Sequence, residues 1–283
     1  MPDPTLHHVT CASPRGLHRI GYAEWGAAGS PVLLCVHGLT RNGRDFDRVA
    51  ERLSDRYRVV CPDMLGRGTS DRASDPSLYT VAQYVADCVT LIARLDVDEL
   101  IWLGTSMGGV IGMTLAALPG NPIRRLILND IGPVIGAGGA GRIAGNVGDD
   151  PSFDSFEDGE RALRARMSEF GLHSDEDFRY LSRHYVVRRG GRWAFHYDPA
   201  IGTTFKAAAA GGSAPPLWPF YDAISCPTRV IRGSISDILS EETAQEMTRR
   251  GPRAQVVRIK GVGHAPSLVP DAQIDIVERL LTD

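Results

Sequence analysis

Glu99-Leu-Ile-Trp-Leu-Gly-Thr-Ser-Met-Gly-Gly-Val-Ile-Gly112 is the stretch that decides the fold. Residues 100–103 form a short apolar run, as expected for a strand covered on both faces of a parallel sheet. Gly104-Thr-Ser-Met-Gly108 then satisfies G-x-S-x-G, in which the glycines leave room for a sharp, strained turn. Val110, Ile111, Met113 and Leu115 continue as a helix. The spacing predicts strand, elbow and helix, with the Ser106 hydroxyl exposed at a helix N-terminus, where free N–H groups favour developing negative charge. The plainer alternative is a glycine-rich turn with an ordinary capping serine.

Outward from this stretch, strand and helix patterns alternate. Residues 17–25 read as an edge strand and 31–36 as a central strand running into His37-Gly38-Leu39-Thr40. Residues 45–53 read as a helix, 57–61 as a strand, and 63–71 as a polar, glycine-bearing loop. Residues 80–95 place Val81, Tyr84, Val85, Cys88, Leu91, Ile92 and Leu95 on one helical face. Residues 125–131 give one more core strand. The pattern predicts an α/β fold with a mostly parallel, doubly wound sheet. It resumes with a strand at 228–232, a helix at 241–250, a strand at 255–259 and a closing helix at 271–281.

Between these parts the composition changes. Residues 134–222 carry a glycine-rich run, mixed Arg and acidic residues, an alanine stretch and several prolines. Short amphipathic helices are predicted at 161–170 and 176–185. We read 134–222 as a mainly helical cap inserted before the last two strands, over a core of 1–133 and 223–283. Gly136-Ala-Gly-Gly-Ala-Gly141 satisfies G-x-G-x-x-G, but Pro133 separates it from its strand and Gly145 and Gly148 disfavour a following helix. A hinge for the cap is expected there, not a dinucleotide site.

Composition bounds the function. At 283 residues with 43% hydrophobic content, the chain can build a substantial core without metal or disulfide help. A net charge of −3 gives no basic excess for nucleic acid. Cys11, Cys35, Cys61, Cys88 and Cys226 are scattered, odd in number and without C-x-x-C spacing, so they read as reduced thiols of a cytoplasmic protein. The N-terminal residues have no apolar h-region and no segment reaches membrane-spanning length, so neither export nor membrane anchoring is expected. No His, Cys, Asp or Glu cluster has metal-ligand spacing, and no metal or cofactor is expected. The oligomeric state is not legible.

A serine hydroxyl becomes a nucleophile only when a base takes its proton, and an imidazole in that role needs a carboxylate to fix its tautomer. His264 follows the last strand in Gly261-Val-Gly-His264, and Asp237 follows the preceding strand in Gly233-Ser-Ile-Ser-Asp237. Asp130, at the end of another strand, rivals Asp237. His37 reads as a brace for its loop. His7, His8, His18, His173, His184 and His196 lack motif context and read as surface or packing residues.

With His37-Gly38, Asp63-x-x-Gly66-x-Gly68-x-Ser70, Gly104-x-Ser106-x-Gly108, Gly233 to Asp237 and Gly263-His264 in this order, the chain resembles the α/β-hydrolase fold superfamily over nearly its whole length. The resemblance implies Ser106 as nucleophile, His264 as general base and then acid, and Asp237 as the orienting carboxylate. It also implies an oxyanion hole from the backbone N–H groups of Met107 and Leu39. Leu39 stands where some esterases carry a glycine-rich run. A nucleophilic serine disfavours the dehalogenase and epoxide-hydrolase branches, which use Asp at the elbow.

The expected function is a serine hydrolase, of carboxylesterase type, acting on small esters or lactones through an acyl-enzyme, with an acyl substrate and water as partners. A second reading is hydrolysis of a carbon–carbon bond in vinylogous diketones by the same triad, although Thr105 stands where those enzymes usually carry Asn. A third is a low-turnover ligand-binding protein on the same fold. Arg183, Arg188, Arg189 and Arg192 could supply a cation for a substrate carboxylate, but a solvated face balanced by Asp175, Glu176 and Asp177 is the plainer reading. Trp193, Phe195 and Tyr197 alternate and read first as packing the cap on the core, with the lining of a binding slot as the open alternative.

Overall fold

Strands β1 (Thr5–Ser13) and β2 (Gly16–Trp25) pair as an antiparallel hairpin and open the chain. The structure is a computed structural model and describes residues 3–172, 174–210 and 215–282; His173 and part of the alanine and proline stretch lie outside the described residues. The edge strand is therefore β1, not residues 17–25. Its only inward apolar side chains are Val9 and Cys11, too few to stand out as a period-2 pattern.

The chain continues as β3 (Val32–Val36), α1 (Asp47–Leu53), β4 (Arg58–Pro62), α2 (Val81–Leu95), β5 (Leu100–Thr105), α3 (Met107–Ala116) and β6 (Ile123–Asn129). The inserted segment follows, with α4 (Ala137–Asn146), β7 (Ser152–Phe153), α5 (Phe156–Arg166), α6 (Asp175–Tyr185), β8 (Val186–Arg189), β9 (Arg192–Phe195), α7 (Ile201–Ala210) and α8 (Trp218–Asp222). The sheet resumes with β10 (Thr228–Gly233), and α9 (Glu241–Met247), β11 (Gln255–Ile259) and α10 (Asp271–Thr282) complete the chain.

The main sheet has eight strands in the order β1-β2-β4-β3-β5-β6-β10-β11, antiparallel only through the pairings of β2. The order reverses at β3, so the carboxyl ends of β3 and β5 flank the crevice where doubly wound sheets bind ligands. Strand alternation divides the core. Val32, Leu34 and Val36 face α2 and α3, whereas Leu33 and Cys35 face α1 and α10. The two apolar layers are built on either side of one sheet, which fixes the elbow after β5 from both faces.

The insertion is mainly helical, with five helices among its described residues, and also holds a three-stranded antiparallel sheet in the order β7-β9-β8. Strands β8 and β9 are joined by Gly190-Gly191, both at positive φ, the two-residue hairpin for which Gly-Gly is suited. One expectation is corrected: the glycine run at 136–141 opens α4, so a helix follows it where Gly145 and Gly148 pointed to none. Its glycines allow close approach: a Cβ on Gly136 would lie 2.3 Å from the Asp237 carbonyl oxygen, and one on Gly139 would lie 2.7 Å from it. The Gly136 N–H donates to the Ile238 carbonyl at 2.9 Å, docking α4 on the turn after β10.

Away from the sheet ends, Cys11 and His18 are cross-strand partners in the hairpin and meet Asp87 of α2. His18 Nε2 lies 2.9 Å from Asp87 Oδ1, which also accepts from Gln83 at 2.8 Å. These contacts brace the hairpin on α2. The three metal-ligating residue types come within 4.8 Å of one another, a juxtaposition that spacing along the chain does not reveal. Among the described residues no helix is long and apolar enough to cross a membrane.

Candidate active site

Ser106 sits at φ 50° and ψ −113°, a strained conformation for a residue with a side chain. The glycines around it make this possible. A Cβ on Gly104 would lie 2.4 Å from the Gly108 carbonyl oxygen, and one on Gly108 would lie 2.0 Å from that of Val36. Helix α3 is thereby pressed against the end of β3. Trp102, fully buried, donates from Nε1 to the Gly108 carbonyl at 3.0 Å and holds the first turn. The N–H groups of Gly109 and Val110 both donate to the Ser106 carbonyl, so the Met107 N–H precedes the first helical bond.

The Ser106 hydroxyl lies 2.9 Å from His264 Nε2. His264 Nδ1 lies 2.8 Å from Oδ2 of Asp130, which is completely buried. A carboxylate there only accepts, so Nδ1 carries the proton and Nε2 of the neutral ring is free to accept from Ser106. Asp130 is itself pinned at φ 55°. Its Oδ1 accepts the Gly233 N–H at 2.7 Å and its Oδ2 accepts the Ser236 hydroxyl at 2.6 Å.

The structure thus brings Ser106 and His264 together but does not bring Asp237 to them. Asp237 accepts from Nε and Nη2 of Arg142 in α4, both at 2.7 Å, and this guanidinium holds its carboxyl below the ordinary range. The physical reason is sheet order. Strand β6 lies directly beside β10, so Asp130, the residue after β6, reaches the imidazole, whereas the turn after β10 carries Asp237 outward to α4. From that turn it is Ser236, not Asp237, that reaches the buried carboxylate.

Leu39 borders the same space. A Cβ on Gly38 would lie 3.7 Å from Ser106 Cβ, which puts the 37–39 loop against the serine. His37 braces the loop: its Nδ1 is 2.7 Å from the Gly38 carbonyl, and its Nε2 accepts the Met64 N–H at 2.9 Å. Burial, with the Arg67 charge nearby, lowers its pKa to about 3, so the ring is neutral.

Arg67, between Gly66 and Gly68 of the 63–70 loop, went unread in the sequence. It is fully buried and donates from Nε to the Leu39 carbonyl at 2.8 Å, and from Nη1 to the Leu65 carbonyl and the Tyr84 hydroxyl. Its Nη2 is 3.5 Å from Met107 Sδ. One guanidinium therefore ties the 37–39 loop to the residue after Ser106. An Arg flanked by two glycines, where the backbone turns at positive φ, was the available signal. In the same loop Asp63 accepts the N–H groups of Gly43 and Thr69, both at 2.7 Å.

Above the serine is a cavity of about 510 Å3, enclosed on one side by 38–46 and 264–267 and on the other by α4 and the 163–170 segment. Phe195 and Tyr197 line it, whereas Trp193 packs edge-on against Phe156. Arg188, Arg189 and Arg192 are spent on Gly191, Asp150 and Asp154, and Arg183 does not reach the cavity. The arginines that do are Arg41, Arg142 and Arg166.

A serine on a strained elbow after the fifth strand of this sheet, served by an imidazole from the loop after the last strand, defines the α/β hydrolases. The chain belongs to the alpha/beta hydrolase family, whose profile matches residues 33–276. Among its relatives is a 3-hydroxybutyrate-oligomer hydrolase of Cupriavidus necator, 46% identical over 290 residues that cover 99% of this chain and 98% of that protein. An alpha/beta hydrolase from Novosphingobium aromaticivorans superposes with a TM-score of 0.88 at 36% identity, covering 100% of this chain and 99% of the other. A Rickettsia typhi crystal structure gives 0.91 at 32% identity over 99% of each chain. The family and these relatives support hydrolase activity.

Proposed function

We propose that the chain is a serine hydrolase that cleaves carboxylic esters through an acyl-enzyme, with short 3-hydroxybutyrate oligomers as its substrate class. The observation that carries the reading is the continuous relay from Ser106 through His264 to buried Asp130, at 2.9 and 2.8 Å. His264 Nε2 takes the hydroxyl proton as Ser106 Oγ attacks the ester carbonyl, and Asp130 steadies the imidazolium. The Leu39 and Met107 N–H groups would receive the oxyanion, a contribution of roughly 3–4 kcal/mol per donor in other enzymes. Collapse expels the alcohol, protonated by His264. Water then attacks the acyl-Ser106 ester by the same route and releases the acid.

The inserted segment acts as a lid over this site and leaves a cavity within the roughly 300–1,000 Å3 of small-molecule sites. Its lining mixes Leu163, Phe170 and Val147 with polar groups, which suits an oligoester of short methyl-branched units. The name of the 46%-identical relative supports the same substrate class. The test is release of 3-hydroxybutyrate from its linear dimer and trimer by wild type and Ser106→Ala. Release by wild type and its loss in the variant are expected. Release by both proteins overturns the nucleophile; turnover of p-nitrophenyl butyrate without turnover of the oligomers overturns the substrate class.

A further inference from the structure

The charged side chains lining the cavity are Arg41, Asp45, Arg142, Arg166 and Glu169, beside His264 of the proposed relay, and the arginines differ in how far their charge is already used. Arg41 is half-buried and engages Asp45 through Nε and Nη2 at 2.9 and 2.6 Å, with its guanidinium 4.0 Å from the centre of the Tyr185 ring. The Tyr185 hydroxyl donates to the same carboxylate at 2.6 Å, which completes a closed cluster. Arg142 is held by both oxygens of Asp237. Arg166, the last residue of α5, touches the Tyr197 side chain and has, among the described residues, one carboxylate partner, Asp149 at 3.5 Å, which is 46% exposed.

Arg166 is nonetheless positioned. Its guanidinium carbon sits 4.8 Å from the centre of the Phe195 ring, and Tyr197 beside it is fixed by its own hydroxyl bond to the Asp149 carbonyl at 2.8 Å. A guanidinium resting on an aromatic face keeps its N–H edge free for a planar, two-point partner. The cavity is also polarised. Glu169 lies against Gly263, next to His264, where its charge opposes a second carboxylate. Arg166, three residues before Glu169 on the same segment, offers the opposite charge with a weak and partly solvated counter-ion.

We infer that Arg166 is a carboxylate-binding residue that selects acyl substrates ending in a free acid and orients them with the acid on α5 and the ester toward Ser106. The inference rests on the ester-hydrolase reading above and adds to it which end of the oligomer is recognised, and by what.

The experiment compares the linear 3-hydroxybutyrate trimer with its methyl ester as substrates for wild type, Arg166→Gln, Arg166→Lys and Arg142→Gln. Wild type is expected to prefer the free acid by tenfold or more in kcat/KM. Arg166→Gln should raise KM for the acid at least tenfold while shifting the methyl ester less than threefold, and Arg166→Lys should keep an intermediate preference. Equal losses on acid and ester, or a preference that collapses in Arg142→Gln instead, overturn the assignment. Turnover of both substrates by wild type without preference overturns the carboxylate site but leaves the ester-hydrolase reading. Turnover of neither overturns that reading and the site with it.

Discussion

Replacing Asp130 by Asn separates the two candidate acids by a change of one atom. In wild type Oδ1 accepts from Gly233 N–H while Oδ2 accepts from both Ser236 and His264. An amide has one oxygen for these three donors. If the oxygen stays on Gly233, the NH2 faces His264 Nδ1, forces the proton to Nε2 and removes the base from Ser106. If the amide flips, two donors meet at Gly233, at a cost of about 1–3 kcal/mol. The first arrangement is favoured, and a wrong tautomer of this kind lowers kcat roughly ten-thousand-fold, or about 5.5 kcal/mol of barrier. The matching Asp237→Asn change weakens a pair whose carboxylate and guanidinium side chains are 37% and 43% exposed, a surface interaction worth about 1 kcal/mol or less. Its kcat should fall by less than about tenfold. Steady-state hydrolysis of p-nitrophenyl butyrate by both variants, with melting curves to exclude unfolding, makes the comparison. A ten-thousand-fold loss in Asp237→Asn beside near-normal Asp130→Asn would refute the reasoning.

Three further outcomes follow from the packing and the buried charges. Asp87→Ala removes the acceptor shared by buried His18 and Gln83 and should cost about 1–3 kcal/mol in urea unfolding; a change under about 0.5 kcal/mol contradicts the bracing role. Gly108→Ala drives a Cβ to 2.0 Å from the Val36 carbonyl and should abolish soluble folding, whereas Gly141→Ala in α4 meets nothing within 4 Å and should stabilise by up to about 1 kcal/mol. Stability should fall on acidification from pH 6.5. Burial lowers His37 to about 3 and His184 to about 4 from an ordinary 6.5, so below pH 6.5 the unfolded chain takes up protons that the native state refuses. Burial raises Asp47 from 3.8 to about 6 and also raises Asp63 and Asp87, which act in the opposite sense below about pH 6. The fall is therefore expected around pH 6.5, before these carboxyls take up protons. Urea titrations between pH 7.5 and 6 check it, and a midpoint that rises as the pH falls over that window contradicts the assignment.

Ser106 and His264 were legible because each lies in a local pattern whose glycines answer a backbone demand at that spot. The sheet was legible because β3, residues 100–103 of β5 and residues 126–128 of β6 are buried and read as continuous apolar runs. Asp130 and Asp237 look equivalent along the chain, since each follows a core strand. What separates them is that β6 neighbours β10, and that Arg142, 95 residues from Asp237 in sequence, captures its carboxylate. No local pattern encodes either relation. The helix opened by the glycine run at 136–141 shows the same limit, because what fits those glycines there is contact with the 237–238 turn. The Gly190-Gly191 hairpin and Arg67 are different, as both carried a signal in their neighbouring residues.

The account rests on Ser106 being an activated nucleophile. Incubation with a fluorophosphonate, followed by intact mass and peptide mapping of wild type and Ser106→Ala, tests this most directly. The account predicts one adduct per chain, mapped to Ser106 and lost in the variant. A folded wild type that takes up no label, or a Ser106→Ala protein that takes up as much, would contradict it.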